Sequence, residues 1–176
     1  PPDIQYCDEP EKDIKLEKYA EDVGTNFPLL PIITPNFQRR VTNSLELTEA
    51  LMTAHPDELI SIAPGEYEIN ARKIKLEKVN ESAFITLIKG ESLHSTIIRI
   101  NNKEGLLIDS PNWVIENITF KGGCDYDSDC NHALHITGDA DNVTIQNNRF
   151  INFNAHIKSN GLIINENTKR EFPDNL

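Results

Sequence analysis

His135, His156, Lys89, Lys158 and Asp109 are the side chains best spaced to do chemistry together, because each flanks a copy of one short repeat. Leu87-Ile88-Lys89-Gly90, Leu107-Ile108-Asp109-Ser110, His135-Ile136-Thr137-Gly138 and His156-Ile157-Lys158-Ser159 share a central isoleucine, at successive spacings of 20, 28 and 21 residues. If the isoleucines point inward, strand alternation turns their neighbours outward. One exterior column is then Leu87, Leu107, His135 and His156, and the next is Lys89, Asp109, Thr137 and Lys158. Imidazoles move protons near neutral pH, and ammonium groups neutralise anionic substrates. Such a face suits an extended sugar polymer; the plainer reading is a solvated exterior with stacked histidines and no function, since polar exteriors are the rule.

A second group of candidates lies between the middle repeats, in Cys124-Asp125-Tyr126-Asp127-Ser128-Asp129-Cys130. Asp125, Asp127 and Asp129 present carboxylates at alternate positions, an arrangement that a hard cation such as Ca²⁺ can use, although the Gly and terminal Glu of an EF-hand loop are missing. The alternative is an acidic surface loop. Cys124 and Cys130 bracket five residues, a spacing that a loop can close as a disulfide in an oxidising compartment, with two free thiols as the alternative and a metal site through the sulfurs as the least favoured reading. Cys7 is then left to pair outside the chain or stay free. His132-Ala133-Leu134-His135 lacks the i, i+4 spacing and the Glu of a zinc helix. No Gly-rich phosphate loop or nucleophile elbow is present.

The elements that must position these residues are short strands. Residues 85–89, 96–100, 105–109, 113–120, 133–137, 143–150 and 155–158 are rich in Ile, Val and Thr, and no helical pattern separates them. Residues 114–120 also match residues 144–150 at a spacing of 30. Stacking on that period places Ile115 on Ile145 and Phe120 on Phe150, with Asn117 above Asn147 at a bend where their amides can bond each other. An inward Asn117 cannot carry a glycan, so its sequon is a chance match beside those at Asn80 and Asn142. A period of 20 to 30 residues without intervening helices predicts a solenoid whose sheet coils on itself.

Ahead of the strands, Asn43-Ser44 followed by Glu46 reads as a helix N-terminus, and Leu45, Leu47, Ala50, Leu51 and Ala54 continue an apolar stripe. Residues 59–63 and 66–69 are then strands around a Pro64-Gly65 turn. Residues 1–40, punctuated by Pro10, Pro28, Pro31 and Pro35, read as an irregular N-terminal arm. Residues 41–69 form a cap helix with the first rung, and residues 70–176 the further rungs. No apolar run approaches the roughly 20 residues that a membrane helix needs, and a formal net charge of −11 disfavours nucleic acid, whose binders need a basic face. The same charge argues mildly against a strongly anionic glycan unless a local cationic patch reverses the field.

The amphipathic helix feeding an apolar strand, Pro-Gly and Tyr67 resembles the N-terminal cap and first rung of right-handed parallel β-helix proteins of the pectate-lyase-like superfamily. Over about residues 41 to 165 the chain looks like polysaccharide lyases of the chondroitinase-B and alginate-lyase type. That resemblance implies an all-β, right-handed parallel β-helix, secreted or periplasmic, that cleaves a uronic-acid-containing glycan by β-elimination; the alternative is a non-catalytic glycan-binding, adhesive or structural β-helix. It implies that Lys158, in Lys158-Ser159, is the base. The Arg that partners this Lys in the family would fall at or beyond Leu176, so Arg149, His156 and His135 are the substitutes for charge neutralisation and proton transfer. Lys89, Asp109 and Lys121 are the expected substrate contacts. The polar residues 166–176 offer no closing helix, so a further C-terminal segment or a second chain is expected to cover the open end.

Overall fold

The one helix among the described residues grows from local chemistry. In the computed structural model, which describes residues 35–71, 74–76, 84–123, 132–160, 162–164 and 169–171, helix α1 spans Ser44–Met52. The side chain of Asn43 accepts from the Glu46 backbone N–H at 2.9 Å, as an N-cap should. The Glu46 carboxylate reaches back to accept from the Thr42 N–H at 2.7 Å, and these bonds hold its pKa below the ordinary glutamate value. The cap's contribution is therefore present above the ordinary carboxylate range and lost as pH falls through the depressed folded-state value. Leu47, Ala50, Leu51 and Ala54 are buried as the stripe requires, whereas Leu45 faces solvent at 78% exposure.

Strand β1, Phe37–Val41, precedes the helix and runs from the stretch read as an irregular arm into the first residue of the one read as cap and first rung. Residues 1–34 lie outside the described residues. After α1 come β2 (Glu58–Ile62), β3 (Gly65–Ile69), β4 (Ile74–Leu76), β5 (Thr86–Gly90), β6 (Thr96–Ile100) and β7 (Leu106–Ile108). They are followed by β8 (Trp113–Glu116), β9 (Thr119–Gly122), β10 (His132–Ile136), β11 (Thr144–Gln146), β12 (Arg149–Ile151) and β13 (Ala155–Ser159). From β2 to β13 the strands are dealt in turn to three parallel sheets: β1-β2-β5-β8-β11, β3-β6-β9-β12 and β4-β7-β10-β13. A separate antiparallel pair joins β14 (Leu162–Ile164) to β15 (Lys169–Glu171). The chain is thus mostly β, built on parallel sheets.

Register stacks like on like. Ile60, Ile88 and Ile115 pair in the first sheet. In the second, Tyr67, Ile98, Phe120 and Phe150 pair in succession, and the Phe120 and Phe150 rings lie 5.3 Å apart at 11°. In the third, Ile74, Leu106 and Leu134 make one column and Leu76, Ile108 and Ile136 another. All of these up to Leu134, Ile136 and Phe120 are buried in one continuous core.

The stretch read as a single strand over 113–120 is two strands broken at Asn117, and 143–150 likewise breaks at Asn147. Both residues have positive φ, 61° and 49°, a conformation that asparagine tolerates better than most side chains. The Asn147 amide donates to the Asn117 side-chain oxygen at 2.6 Å, so the two stack at the bend as their 30-residue spacing predicts.

Tyr67 ties the start of this core to the helix end of the molecule. It is 1% exposed, and its hydroxyl donates to the Ala63 carbonyl at 2.7 Å. Burial raises its pKa above the ordinary tyrosine value. The stabilisation it supplies is present below that ordinary value and is lost as pH rises through the raised one. Tyr67→Phe, which leaves a buried carbonyl without this donor, is expected to cost about 1–2 kcal/mol in denaturant unfolding and to flatten the alkaline limb of the stability profile.

Candidate functional site

The third sheet carries the outward residues of interest. With Leu106, Ile108, Leu134 and Ile136 directed into the core, the alternating positions Lys75, Leu107, His135 and Lys158 form the exterior column, paired in that order across β4, β7, β10 and β13. His135 and Lys158 are therefore direct cross-strand neighbours, and each is partly enclosed.

This column differs from the expected one in two ways. Ile88 and Lys89 belong to the first sheet, because the 20-residue step from Ile88 to Ile108 advances two strands, and only a three-strand step returns to the same sheet. The last repeat is also displaced by two residues, since Ile157 pairs with Leu134 and Ser159 with Ile136. His135 consequently meets Lys158 and not His156. His156 is exposed and stacks on Phe150, with ring centroids 5.6 Å apart at 15°, while Phe153 meets it edge-on.

His135 is held on both sides. Its Nδ1 lies 3.1 Å from Glu104 Oε2 and its Nε2 lies 3.0 Å from Asn160 Oδ1. The Glu104 carboxylate and the Asn160 amide oxygen can both only accept, so as placed Nδ1–H and Nε2–H each donate. Nε2 becomes the reactive nitrogen, as in any imidazole oriented by a carboxylate. The imidazole side chain is only 13% exposed, whereas the Glu104 side chain is 52% exposed, so the carboxylate orients the ring while remaining open to solvent. His132 meets the His135 ring edge-on with centroids 6.3 Å apart. Two buried polar atoms in this region, His132 Nδ1 and Ser159 Oγ, have no hydrogen-bond partner.

Glu104 owes its position to the corner between β6 and β7. The buried Asn102 side chain accepts from the Gly105 N–H at 2.6 Å and donates to the Ala71 carbonyl at 3.1 Å, and the His132 N–H donates to the Lys103 carbonyl at 3.3 Å. Gly105 adopts φ +68°, and a Cβ there would run into the carbonyls of His132 and Ala133. Gly105→Ala meets both a strained backbone and a clash. It is expected to destabilise the fold by about 1–3 kcal/mol in equilibrium unfolding, and to loosen the Glu104 to His135 contact.

Of the remaining described candidates, Asp109 stays beside the third sheet and the others lie on the first two. Lys89 forms an ion pair at 2.7 Å with Glu116, which is buried and also accepts from Gln146. Asp109, just past the end of β7, is paired at 2.7 Å with Lys75. Lys121 and Arg149 sit on β9 and β12 of the second sheet, where Arg149 is exposed. Among the described residues no guanidinium stands in the exterior column of His135. Cys124, Cys130, Asp125, Asp127 and Asp129 lie outside the described residues. Among the described residues no group of three or more His, Cys, Asp or Glu side chains is arranged to hold a metal ion, and no helix is long and apolar enough to cross a membrane.

Comparisons with protein-family models, with curated proteins and with solved structures found no match. What the fold and the site define is a mostly β chain with three parallel sheets, one of which presents a carboxylate-oriented histidine beside a lysine.

Proposed function

We propose that this chain is a right-handed parallel β-helix of the pectate-lyase-like kind, acting in a secreted or periplasmic setting as a lyase on a uronic-acid-containing polysaccharide. The observation that carries the reading is the His135–Lys158 pair, with Glu104 behind the imidazole, on the exterior of a parallel sheet. Dealing strands in turn to three sheets, with stacked asparagines at the bends, supports the β-helix.

In this reading Lys158, as the free amine, removes the C5 proton of the uronate. The C4–O bond breaks as the C4=C5 double bond forms, and the leaving oxygen takes a proton from His135 Nε2–H once the sugar has displaced Asn160. Glu104 balances the imidazolium that supplies this proton. Lys158, adjacent to the buried Ser159 hydroxyl, retains the base role that the Lys-Ser resemblance gives it. Calcium at Asp125, Asp127 and Asp129 remains part of the proposal.

A second reading, a non-catalytic glycan-binding or adhesive surface, is favoured by Asn160 occupying His135 Nε2 and by Arg149 standing on a different sheet. Incubation with alginate, pectate and chondroitin, with and without Ca²⁺, separates the two. The lyase reading expects ultraviolet absorbance from an unsaturated product with at least one of them, falling to background in Lys158→Ala. Tight binding with no product from any of the three would instead establish the second reading.

A further inference from the structure

A hollow of about 470 Å³ opens beside the histidine, lined by Asn70, Asn101, Asn102, Lys103 and Glu104. Glu104 belongs both to this hollow and to the His135 contact, so the hollow lies on the Nδ1 side of the imidazole with the Glu104 carboxylate between them. Its walls are polar amides with one cation and one carboxylate. The walls expose aliphatic as well as polar surface, a mixture that suits a sugar, whose hydroxyls need paired donors and acceptors and whose C–H faces need apolar contact.

The walls are also fixed in advance. Asn101 donates to the Asn70 side-chain oxygen at 2.6 Å, which orients both amides. Asn102 is committed to the backbone of Ala71 and Gly105 and serves as scaffold. Asn70, Asn101, Lys103 and Glu104 are exposed. The amide oxygen of Asn101 and the second oxygen of Glu104 can accept from sugar hydroxyls, while the Lys103 ammonium is a donor that fits a carboxylate. In a chain of net charge −11, Lys103 offsets the Glu104 carboxylate in the same lining, so the hollow is charge-balanced and its one ammonium can pair with the carboxylate of a uronate.

We infer that this hollow is a binding subsite for one hexuronate residue of the glycan, with Lys103 on its carboxylate and Asn101 and Glu104 on its hydroxyls, adjoining the sugar processed at His135. The inference rests on the glycan reading above and adds to it the residues that select a uronate over a neutral sugar.

The test is calorimetric titration of the full chain and its variants with oligogalacturonate, oligoalginate and chondroitin oligosaccharides, with cello-oligosaccharide as the neutral control. Lys103→Ala and Asn101→Ala are expected to weaken binding of the acidic oligomer about tenfold each, and Lys103→Ala is expected to narrow the preference over the neutral one. Arg40→Ala, remote in the sequence and also exposed, is expected to change nothing. Because all three side chains are surface-exposed, circular dichroism should report an unchanged fold. If the wild-type chain binds an acidic oligomer and Lys103→Ala and Asn101→Ala bind it equally well, the subsite is wrong while the glycan reading stands. If the wild-type chain binds none of the oligomers, both fall together.

Discussion

Trp113→Ala is expected to cost about 3–5 kcal/mol of unfolding free energy, measured by denaturant titration. Trp113 heads the fully buried side chains by size and is 0% exposed. It begins β8, inward-facing, where it pairs with Thr86 of β5. Its indole N–H donates to the Ser110 hydroxyl at 2.9 Å, and that hydroxyl reaches the Leu76 carbonyl at 3.4 Å. One side chain thus links the first sheet to the third. Removing it opens a cavity that neighbouring strands cannot close without breaking the register of two sheets. Trp113→Phe keeps most of the volume and loses the donor, so a cost clearly below that of alanine is expected. An alanine variant as stable as the wild type would mean that the columns do not pack as one core.

His135→Ala is expected to lower kcat on the cleaved glycan about a hundred- to ten-thousandfold, the usual worth of a positioned proton donor. The effect should fall on kcat with KM changed little, because the imidazole acts on the leaving oxygen and does not hold the sugar. Glu104→Gln keeps a side chain of the same size that can still accept from Nδ1–H, but without the charge. A loss of about tenfold is expected, the order by which a charge-assisted hydrogen bond exceeds a neutral one. His156→Ala should leave turnover intact, since that ring packs on Phe150 and Phe153 while His135 pairs with Lys158. The opposite ranking, with His156 essential and His135 dispensable, would move the reacting centre to the start of β13, beside Phe150 and Phe153.

The helix was legible because its N-terminus is written in adjacent residues: Asn43 and Glu46 act within four positions of each other. The bend at Asn117 was equally readable, since an identical asparagine recurs thirty residues later in the same apolar context. Strand β1 was not, because in Phe37-Gln38-Arg39-Arg40-Val41 only Val41 is buried, so no alternation marks it. Strand β4 was missed because Ile74-Lys75-Leu76 is too short to show a period. Yet it supplies Lys75, the first member of the exterior column.

For the candidate site, Lys158 and His135 were both singled out, but the partners assigned to them were not the ones the fold provides. Matching isoleucine to isoleucine aligned His156 with His135, whereas the sheet aligns Ile157 with Leu134. Inward packing accepts either large aliphatic residue, so sequence similarity alone cannot decide between registers two residues apart. Glu104 carried no signal at all. It lies 31 residues from His135, in a corner whose path is set by Gly105 and by the side chain of Asn102.

The central claim is that bond cleavage at this face proceeds by elimination. Digesting the best of the three uronate glycans in water enriched in heavy oxygen and weighing the products tests it directly. Elimination predicts fragments with one unsaturated end sugar and no heavy oxygen incorporated during cleavage, formed by the wild type and abolished in Lys158→Ala. Saturated fragments that have gained one heavy oxygen per cleavage would show hydrolysis and contradict the account.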